Sequence, residues 1–296
     1  MTQTTMKRLL SLILLLLVAT SSAHLSYAQG LERRFLNMLL IYPLYSSEAA
    51  AYHRLVGDVE SVKILDYNTC RIEDPERPHV YTITFNNKGD VVKYESKDGD
   101  GCINEKRYFH YASNGRPKSS VEEHYYPNGS LRCSHYNEII CEYNDRGQLV
   151  VLEQSGVFEK YQYNYEGKLM SMTFYYDGYT SEPNDACIYT CNLDGRIVEI
   201  YDGIGRWCLY NYKFEYDSNG RIISQHSRSE RSNGEVSTCY SICTYYPESR
   251  MLVGSTDDYR VTYKYDARGS LIQTAYYKGN NTTPTRIIEH QIIYRY

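Results

Sequence analysis

The sequence predicts an all-β protein: an antiparallel β-hairpin repeat array forming an extended or curling meander sheet, with a short N-terminal helical cap. A seven-residue pattern, clearest from Tyr216 to Ile222, recurs from about residue 85 to the end of the chain. Before this copy, aromatic residues occupy every second position from Tyr212 to Tyr216, and charged residues stand between them. This period of two is typical of a half-buried strand and does not fit a helix.

The recurring pattern is an aromatic residue, three mostly polar residues, Gly, one polar residue and an apolar one. Asn and Asp before the glycine favour turns, and glycine reaches positive φ without steric cost. The corners lie about 22 residues apart, which leaves room for two strands and two turns in each unit. In one weaker copy, Tyr245 to Met251, Ser249 replaces the glycine. The predicted turn glycines are Gly89, Gly115, Gly129, Gly147, Gly167, Gly195, Gly220 and Gly269.

The N-terminal residues 1–28 are predicted to be a signal peptide. Lys7 and Arg8 precede an apolar run from Leu9 to Ala19, which is short for a membrane span but suits a signal-peptide core. Cleavage is expected after Ala28, or alternatively after Ala23, and an uncleaved anchor is the other interpretation. After cleavage we expect no transmembrane span, and an exported protein that is periplasmic, displayed on the cell surface or secreted.

Residues 29–56 are predicted to form the helical cap. The stretch from Leu31 to Leu40 is apolar with two basic residues, and Pro43 interrupts it. Repeat arrays need a cap over their first unit, so we favour this role over that of a membrane-surface or partner helix. Residues 57–296 then form one β-hairpin repeat domain, with local insertions at 97–104, 178–186, 227–236 and 278–285.

The C-terminal stretch from Ile288 to Tyr296 alternates and ends on an aromatic residue, as strands of outer-membrane barrels do. Such strands need about 9–11 residues and one uninterrupted lipid-facing side. The strands predicted here are nearer to about six residues, a common strand length, and charges flank many turns. We therefore favour a meander over a membrane barrel.

Tyrosine dominates the aromatic residues, with 34 Tyr against 6 Phe and 1 Trp. A tyrosine ring can pack on a neighbouring strand while its hydroxyl reaches water or backbone, so most tyrosines are predicted to be packing residues of the repeat. Tyrosines outside the repeat register are better candidates for a surface that binds protein or carbohydrate. These candidates are Tyr126, Tyr176, Tyr179, Tyr246 and Tyr277.

Nine cysteines in an exported chain predict disulfides, with at least one thiol left over. Cys133 and Cys141 flank a short connection and are candidates for a bridge across a hairpin, although the alternative is that several cysteines are small buried apolar residues. Cys133, His135 and Cys141 also suggest a metal cluster, but a second ligand pair at zinc spacing is not found in the sequence. We predict no metal site.

The sequence predicts no enzyme, no catalytic residue and no cofactor. It lacks a His-Glu-x-x-His motif and a Gly-x-Ser-x-Gly elbow, and its acids lie mostly in turns. Loss of the signal segment, which carries Lys7 and Arg8 and no acid, moves the formal net charge from −4 to −6. That charge, without a basic cluster, argues against nucleic acid as a partner.

The pattern Tyr-Asp-x-x-Gly, seen at Tyr216 to Ile222 and Tyr265 to Leu271, resembles the YD repeats of the bacterial RHS family. The copy at Tyr125 to Leu131 is similar to a MORN-variant repeat, and Val56 to Lys63 resembles the start of small exported RHS-repeat-like proteins. The likeness covers roughly residues 57–296 and implies hairpin units winding into a sheet. Large members enclose a C-terminal toxin, but here Asp74-Pro75 is not followed by the self-cleavage sequence Asp-Pro-x-Gly, so toxin delivery is not implied.

The predicted function is a non-catalytic exported β-repeat protein that binds a protein or glycan at the cell envelope or outside the cell. One alternative is a hydrolase with its site in the insertion loops, near 97–110 or 178–191. Another is a structural component of envelope assembly, which would self-associate. A converging pair of carboxylates or a Cys–His pair in a cleft would favour the hydrolase.

Overall fold

A computed structural model describes residues 55, 58–68, 77–154, 157–176, 186–194, 196–203, 208–218, 221–255 and 259–295. The predicted signal peptide, residues 1–28, lies outside these ranges, as does the predicted cap at 29–56 apart from Leu55, which packs on the core. Within the described ranges the structure is strand and turn, with no helix. None of these residues belongs to a helix long and apolar enough to cross a membrane.

The described chain forms nineteen strands of one antiparallel sheet, as the repeat pattern predicts. They are β1 (Val59–Asn68), β2 (His79–Phe85), β3 (Val91–Lys97), β4 (Ile103–Tyr111), β5 (Pro117–Tyr125), β6 (Leu131–Glu138), β7 (Ile140–Tyr143), β8 (Leu149–Gln154), β9 (Val157–Tyr163), β10 (Leu169–Tyr176), β11 (Ala186–Cys191), β12 (Ile197–Asp202), β13 (Cys208–Tyr216), β14 (Ile222–Arg231), β15 (Val236–Tyr246), β16 (Met251–Ser255), β17 (Tyr259–Tyr265), β18 (Leu271–Lys278) and β19 (Arg286–Tyr294).

The sheet forms a nearly closed barrel, because β1 pairs on both of its edges. Val62 lies opposite Ile83 of β2 on one side and opposite Ile292 of β19 on the other. Where β19 meets β1, Arg286 forms a bidentate ion pair with Asp66, with nitrogen–oxygen distances of 2.9 and 2.6 Å. The expectation of an extended or curling sheet is corrected in this respect. A ring of paired strands leaves fewer exposed backbone groups than an open sheet.

Strands β6 and β7 form one extended run that changes partner at Ile139. β6 pairs with β5, and β7 pairs with β8. The N–H of Ile139 donates to the carbonyl of Lys118 at 2.9 Å, which continues the β5 ladder by one residue. This corrects the expectation for Cys133 and Cys141, because both lie on this run and eight extended residues separate them by about 26 Å.

The short turns share one backbone pattern, in which the N–H of the turn glycine donates to the carbonyl three residues before it. In the turn after β7, the side-chain oxygen of Asn144 accepts from the N–H groups of Arg146 and Gln148, both at 3.0 Å. The N–H of Gly147 donates to the Asn144 carbonyl at 2.8 Å, and Gly147 has φ of 75°. The turn is therefore a β-turn closed by a left-handed glycine, with Asn supplying acceptors that replace backbone ones.

The predicted turn glycines are confirmed wherever they are described. Positive φ values are found at Gly89, Gly115, Gly129, Gly147, Gly167 and Gly269. Gly195 and Gly220 lie outside the described residues. The Gly129 turn joins β5 to β6 and therefore lies at the opposite end of the barrel from the other confirmed turns. In the copy without glycine, Arg250 and not Ser249 takes the left-handed conformation, with φ of 49°.

Two expectations about lengths are corrected. β14 and β15 are 10 and 11 residues long, well above the expected six. Their length also shortens the insertion expected at 227–236, because only residues 232–235 lie between them. The predicted insertion at 178–186 lies almost entirely outside the described residues.

The inner face of the barrel carries the apolar core. Ile83, Leu152, Met172 and Ile200 are almost completely buried, and they come from strands distributed around the ring. We call the end with the Gly147 and Gly167 turns the turn end, and the opposite one the open end. On the inner face of β15, Cys243 near the turn end is buried, whereas Cys239 near the open end is exposed.

Three motif tyrosines join a hairpin to its neighbour. The hydroxyl of Tyr163, just before one turn, donates at 2.8 Å to the carbonyl of Leu149, just after the preceding turn. Tyr111 bonds to Val91 at 2.7 Å and Tyr216 to Ile197 at 2.5 Å in the same way. These contacts give a physical reason for tyrosine instead of phenylalanine at this position, because a phenylalanine ring has no donor for the neighbouring carbonyl.

The arginine that follows some turn glycines lies over the tyrosine of a following unit. The guanidinium carbon of Arg116 is 3.7 Å from the centroid of the Tyr143 ring, and that of Arg221 is 4.8 Å from the Tyr245 centroid. Such cation–π contacts add roughly 0.5–1 kcal/mol each at exposed sites. Together with the tyrosine hydroxyls they explain why the motif is most regular near the turn end.

Candidate functional site

The tyrosines proposed as a binding surface do not form one surface. Tyr126 and Tyr246 are exposed, as predicted, but Tyr126 lies in the β5–β6 turn and Tyr246 ends β15. Tyr277 is half-buried and not fully exposed, because the guanidinium of Arg260 covers its ring at 4.2 Å from the centroid. The side chain of Tyr176 and all of Tyr179 lie outside the described part of the chain.

The outer face of β15 presents a continuous exposed row without a charged side chain. We call it the β15 row; its members are Val236, Thr238, Tyr240, Ile242, Thr244 and Tyr246. Tyr240 and Ile242, at its centre, are 57 % and 61 % exposed. The row extends over about 33 Å, the length of ten residue steps along a strand. Tyr246 was predicted from the sequence but the row as a whole was not, although its alternation with Ser237, Cys239 and Ser241 is visible in the sequence.

Among the residues that the structure describes, one backbone edge of β15 is open beside this row. On the β14 side the ladder covers Val236 to Ile242, whereas on the β16 side the described ladder covers only Ile242 to Tyr246. Within the described residues, the edge from Val236 to Ser241 therefore has no strand partner on the β16 side. An open edge offers backbone donors and acceptors to another extended chain.

Among the described strands, β6 also has an open edge, but unlike β15 it carries charged outward side chains. In the described ladder it pairs with β5 alone, so it too has an open edge. Its outward residues are Arg132, Ser134, Tyr136 and Glu138, and they place a charge at both ends of the row. Charged side chains along an edge disfavour addition of another strand. β15 lacks that protection.

A second group of polar side chains lies on the inner face at the open end, across β4, β5 and β6. We call it the mouth cluster, and its members are Glu105, Arg107, Glu122, His124, Cys133 and His135. Cross-strand pairing brings them together: Arg107 lies opposite Glu122, which lies opposite His135. Arg107 contacts both Glu105 and Glu122, and His124 Nε2 is 2.8 Å from Glu122 Oε1.

The mouth cluster contains two converging carboxylates, as a hydrolase would need, but only Glu105 lies in the predicted region 97–110, whereas Glu122 lies on β5 outside it. However, the guanidinium of Arg107 contacts both Glu105 and Glu122. The arrangement is that of an ion-pair network, and such networks are common without catalysis. The other region considered for a hydrolase, 178–191, is described only from residue 186.

A buried carboxyl lies deeper on the inner face. Glu159 is buried, and burial raises its pKa to about 8. Its Oε2 accepts a hydrogen bond from the hydroxyl of Tyr161 at 2.6 Å, which opposes that rise. Burial also raises the pKa of Tyr161 and, to about 11, that of the Cys141 thiol. The group is enclosed in the core, so it bears on stability more than on binding.

The predicted disulfides are not found: the seven cysteines with described side chains are thiols. Cys187 and Cys191 are buried on the inner face of β11, in line with the alternative that some cysteines serve as small apolar residues. In the described ranges, no group of three or more His, Cys, Asp or Glu side chains is positioned to hold a metal ion.

Comparison with known proteins assigns no family. No protein-family profile matches the chain, and no curated protein matches it. Among solved structures, a porin-like protein from Bacteroides uniformis is 14 % identical with a TM-score of 0.38, and the match covers 81 % of this chain and 99 % of that one. A porin-like protein from Bacteroides vulgatus is also 14 % identical, with a TM-score of 0.31 and coverage of 80 % and 98 %. These TM-scores are too low to carry an argument about this chain.

Proposed function

We propose that the chain is a non-catalytic, exported β-repeat protein that binds an extended segment of another protein along β15, at the cell envelope or outside the cell. The observation that carries the proposal is the coincidence of an open edge from Val236 to Ser241 with the uncharged β15 row. An added strand would bond to the edge, and its side chains would lie beside Tyr240 and Ile242.

The composition of the row favours a protein over a glycan. Aromatic rings suit both kinds of ligand, but the row also contains Val236 at one end and Ile242 between Tyr240 and Thr244. Exposed aliphatic side chains gain most from apolar partners, which a protein segment supplies more readily than a sugar. A glycan is therefore the alternative that the experiment must exclude.

The charged residues on the rest of the outer face favour a barrel whose outside is in contact with water, where a protein partner can reach β15. Its outward residues include Lys63, Lys93, Lys213, Glu215 and Lys264, on strands around the ring, while the apolar core lies inside. Barrels that sit in lipid have the reverse arrangement, with an apolar outer band. The YD-like repeat remains part of this proposal as the unit that builds the barrel.

Site-specific photocrosslinking in cells tests the proposal. A photoreactive residue at position 240 should capture a protein, whereas one at position 136 of β6, an equally exposed tyrosine on the charged edge, should not. With the captured partner purified, Tyr240→Lys should weaken binding about 30-fold, which corresponds to about 2 kcal/mol for a central contact. Tyr136→Lys is the matched control and should leave the affinity unchanged.

Three outcomes would contradict the proposal. Capture at 136 but not at 240 would move the site to β6. Binding to a glycan array that Tyr240→Lys abolishes, without protein capture, would show that the ligand is a sugar. Concentration-dependent dimers in sedimentation that Tyr240→Lys abolishes would show that a second copy occupies the edge, as the structural-component alternative expects.

A further inference from the structure

We propose that the mouth cluster binds a zinc ion, with His124, His135 and Cys133 as ligands and Glu122 as the fourth. The sequence suggested a cluster of Cys133, His135 and Cys141, of which the structure keeps Cys133 and His135 together, whereas Cys141 lies about 26 Å farther along the same extended run. The structure supplies the second pair, because β5 places Glu122 and His124 directly beside them.

The strand register places the four side chains at the corners of a square on one face. Glu122 lies opposite His135, and His124 lies opposite Cys133. Directly opposite Cβ atoms stand about 4.5–5.5 Å apart and diagonal ones at most about 7–8 Å. Two nitrogens, a thiolate and a carboxylate at such spacing form a donor set typical of tetrahedral zinc.

The side chains need only a small rearrangement to converge. The ring centroids of His124 and His135 are 6.2 Å apart, in an edge-on arrangement. Two imidazoles bound to one tetrahedral zinc, each with a zinc–nitrogen distance of about 2.0–2.1 Å, would place their centroids about 5 Å apart. The separation of the two rings must therefore shorten by about 1 Å, and His124 Nε2 must exchange its contact with Glu122 Oε1 for the metal ion. Both histidines are at least partly exposed, so their rings have room to rotate.

The charges around the site favour a cation. Arg107 faces two carboxylates, Glu105 and Glu122, so the group has one acid more than it has guanidinium charges. The Arg107 contact to Glu122 is long, at 3.5 Å, whereas its Nε bonds directly to Glu105. Glu105 can therefore retain Arg107 while Glu122 turns to a metal ion, and Cys133 is a free thiol.

The zinc site is independent of the β15 proposal, because it lies on the inner face of β5 and β6 whereas the β15 row is on the outer face. Either can therefore fail without the other. Binding of zinc here would link β5 to β6 at the open end, where the described β6 pairs with one neighbour only. The site would then stabilise the β5–β6 hairpin as well as bind metal.

Zinc titration of the purified protein, kept reduced, against a chromogenic chelator tests the site. We expect one equivalent to bind, and His124→Ala and His135→Ala each to weaken the affinity by more than about tenfold, since loss of even an outer-shell partner costs about that much. His110→Ala, an exposed histidine on the outer face of β4, is the control and should bind as the unaltered protein does.

A second measurement needs no variant. Zinc should slow alkylation of Cys133 and leave Cys239 unaffected, because Cys239 is an exposed thiol on the inner face of β15 at the same open end. Co²⁺ in place of zinc should give a thiolate charge-transfer absorption that Cys133→Ser removes. Equal alkylation of both cysteines with and without zinc, or affinities unchanged in both histidine variants, would overturn the proposal.

Discussion

The hydrogen bonds between repeat units predict a specific loss of stability in Tyr163→Phe. The Tyr163 hydroxyl donates to the carbonyl of Leu149 at 2.8 Å, and Leu149 is 4 % exposed. Phenylalanine keeps the ring packing but leaves a buried acceptor without this donor. The cost of such a group is about 1–3 kcal/mol, and we expect the lower half of that range because ring contacts are retained.

The measurement is equilibrium unfolding in urea, followed by tyrosine fluorescence and far-UV circular dichroism. The urea midpoint should fall at an unchanged slope, because the surface exposed on unfolding does not change. Tyr165→Phe is the matched control: Tyr165 lies two residues on, in the turn, and its side chain is 84 % exposed. Its substitution should change the free energy of unfolding by no more than about 0.5 kcal/mol.

The same reasoning applies to Tyr216→Phe, which removes the 2.5 Å bond to the Ile197 carbonyl. Three strands lie between β9 and β13, so the two are four inter-strand steps or about 19 Å apart, and the two losses should add in the double variant. The reasoning is refuted if Tyr163→Phe is as stable as the unaltered protein, or if Tyr165→Phe loses as much.

Two further predictions concern single buried or strained groups. The pKa of Glu159 is raised from 4.5 to about 8, so its contribution to stability is present below pH 4.5 and is lost as pH rises to about 8. Glu159→Gln, whose side chain is neutral throughout, should flatten this part of the pH profile and be more stable than the unaltered protein at pH 8. Urea midpoints of both proteins at pH 5 and pH 8 test this, and a parallel decline in both would contradict it. Arg250 has φ of 49°, so Arg250→Gly should raise the free energy of unfolding in urea by about 1 kcal/mol, the usual cost of a left-handed residue other than glycine. A decrease in the free energy of unfolding would show that the arginine side chain contributes more than the backbone strain costs.

Much of the local structure was predictable because it depends on neighbours in sequence. Gly147, Gly167 and Gly269 lie in tight turns, as expected, since the Asx side chain and the positive φ are properties of a few consecutive residues. The alternation from Tyr212 to Tyr216 likewise predicted a strand. Ser249 was located correctly as an exception, although the turn moves its left-handed residue to Arg250.

The candidate sites were less predictable because they depend on pairing. Tyr126, Tyr246 and Tyr277 were selected by their position outside the repeat, yet they lie far apart on the barrel. The β15 row and its open edge depend on where β16 stops pairing, which no local pattern encodes. Likewise, His124 meets His135 only because the Gly129 turn folds β6 back on β5 in one particular register.

The sequence alone determined that this chain is all-β, where its short turns lie and which residues alternate along each strand, because steric limits and side-chain hydrogen bonds act over a few residues. Only the tertiary structure decided that the sheet closes, which face is inner and which edges stay open. Closure pairs Val62 with Ile292, and that contact depends on the accumulated twist and register of every strand between them.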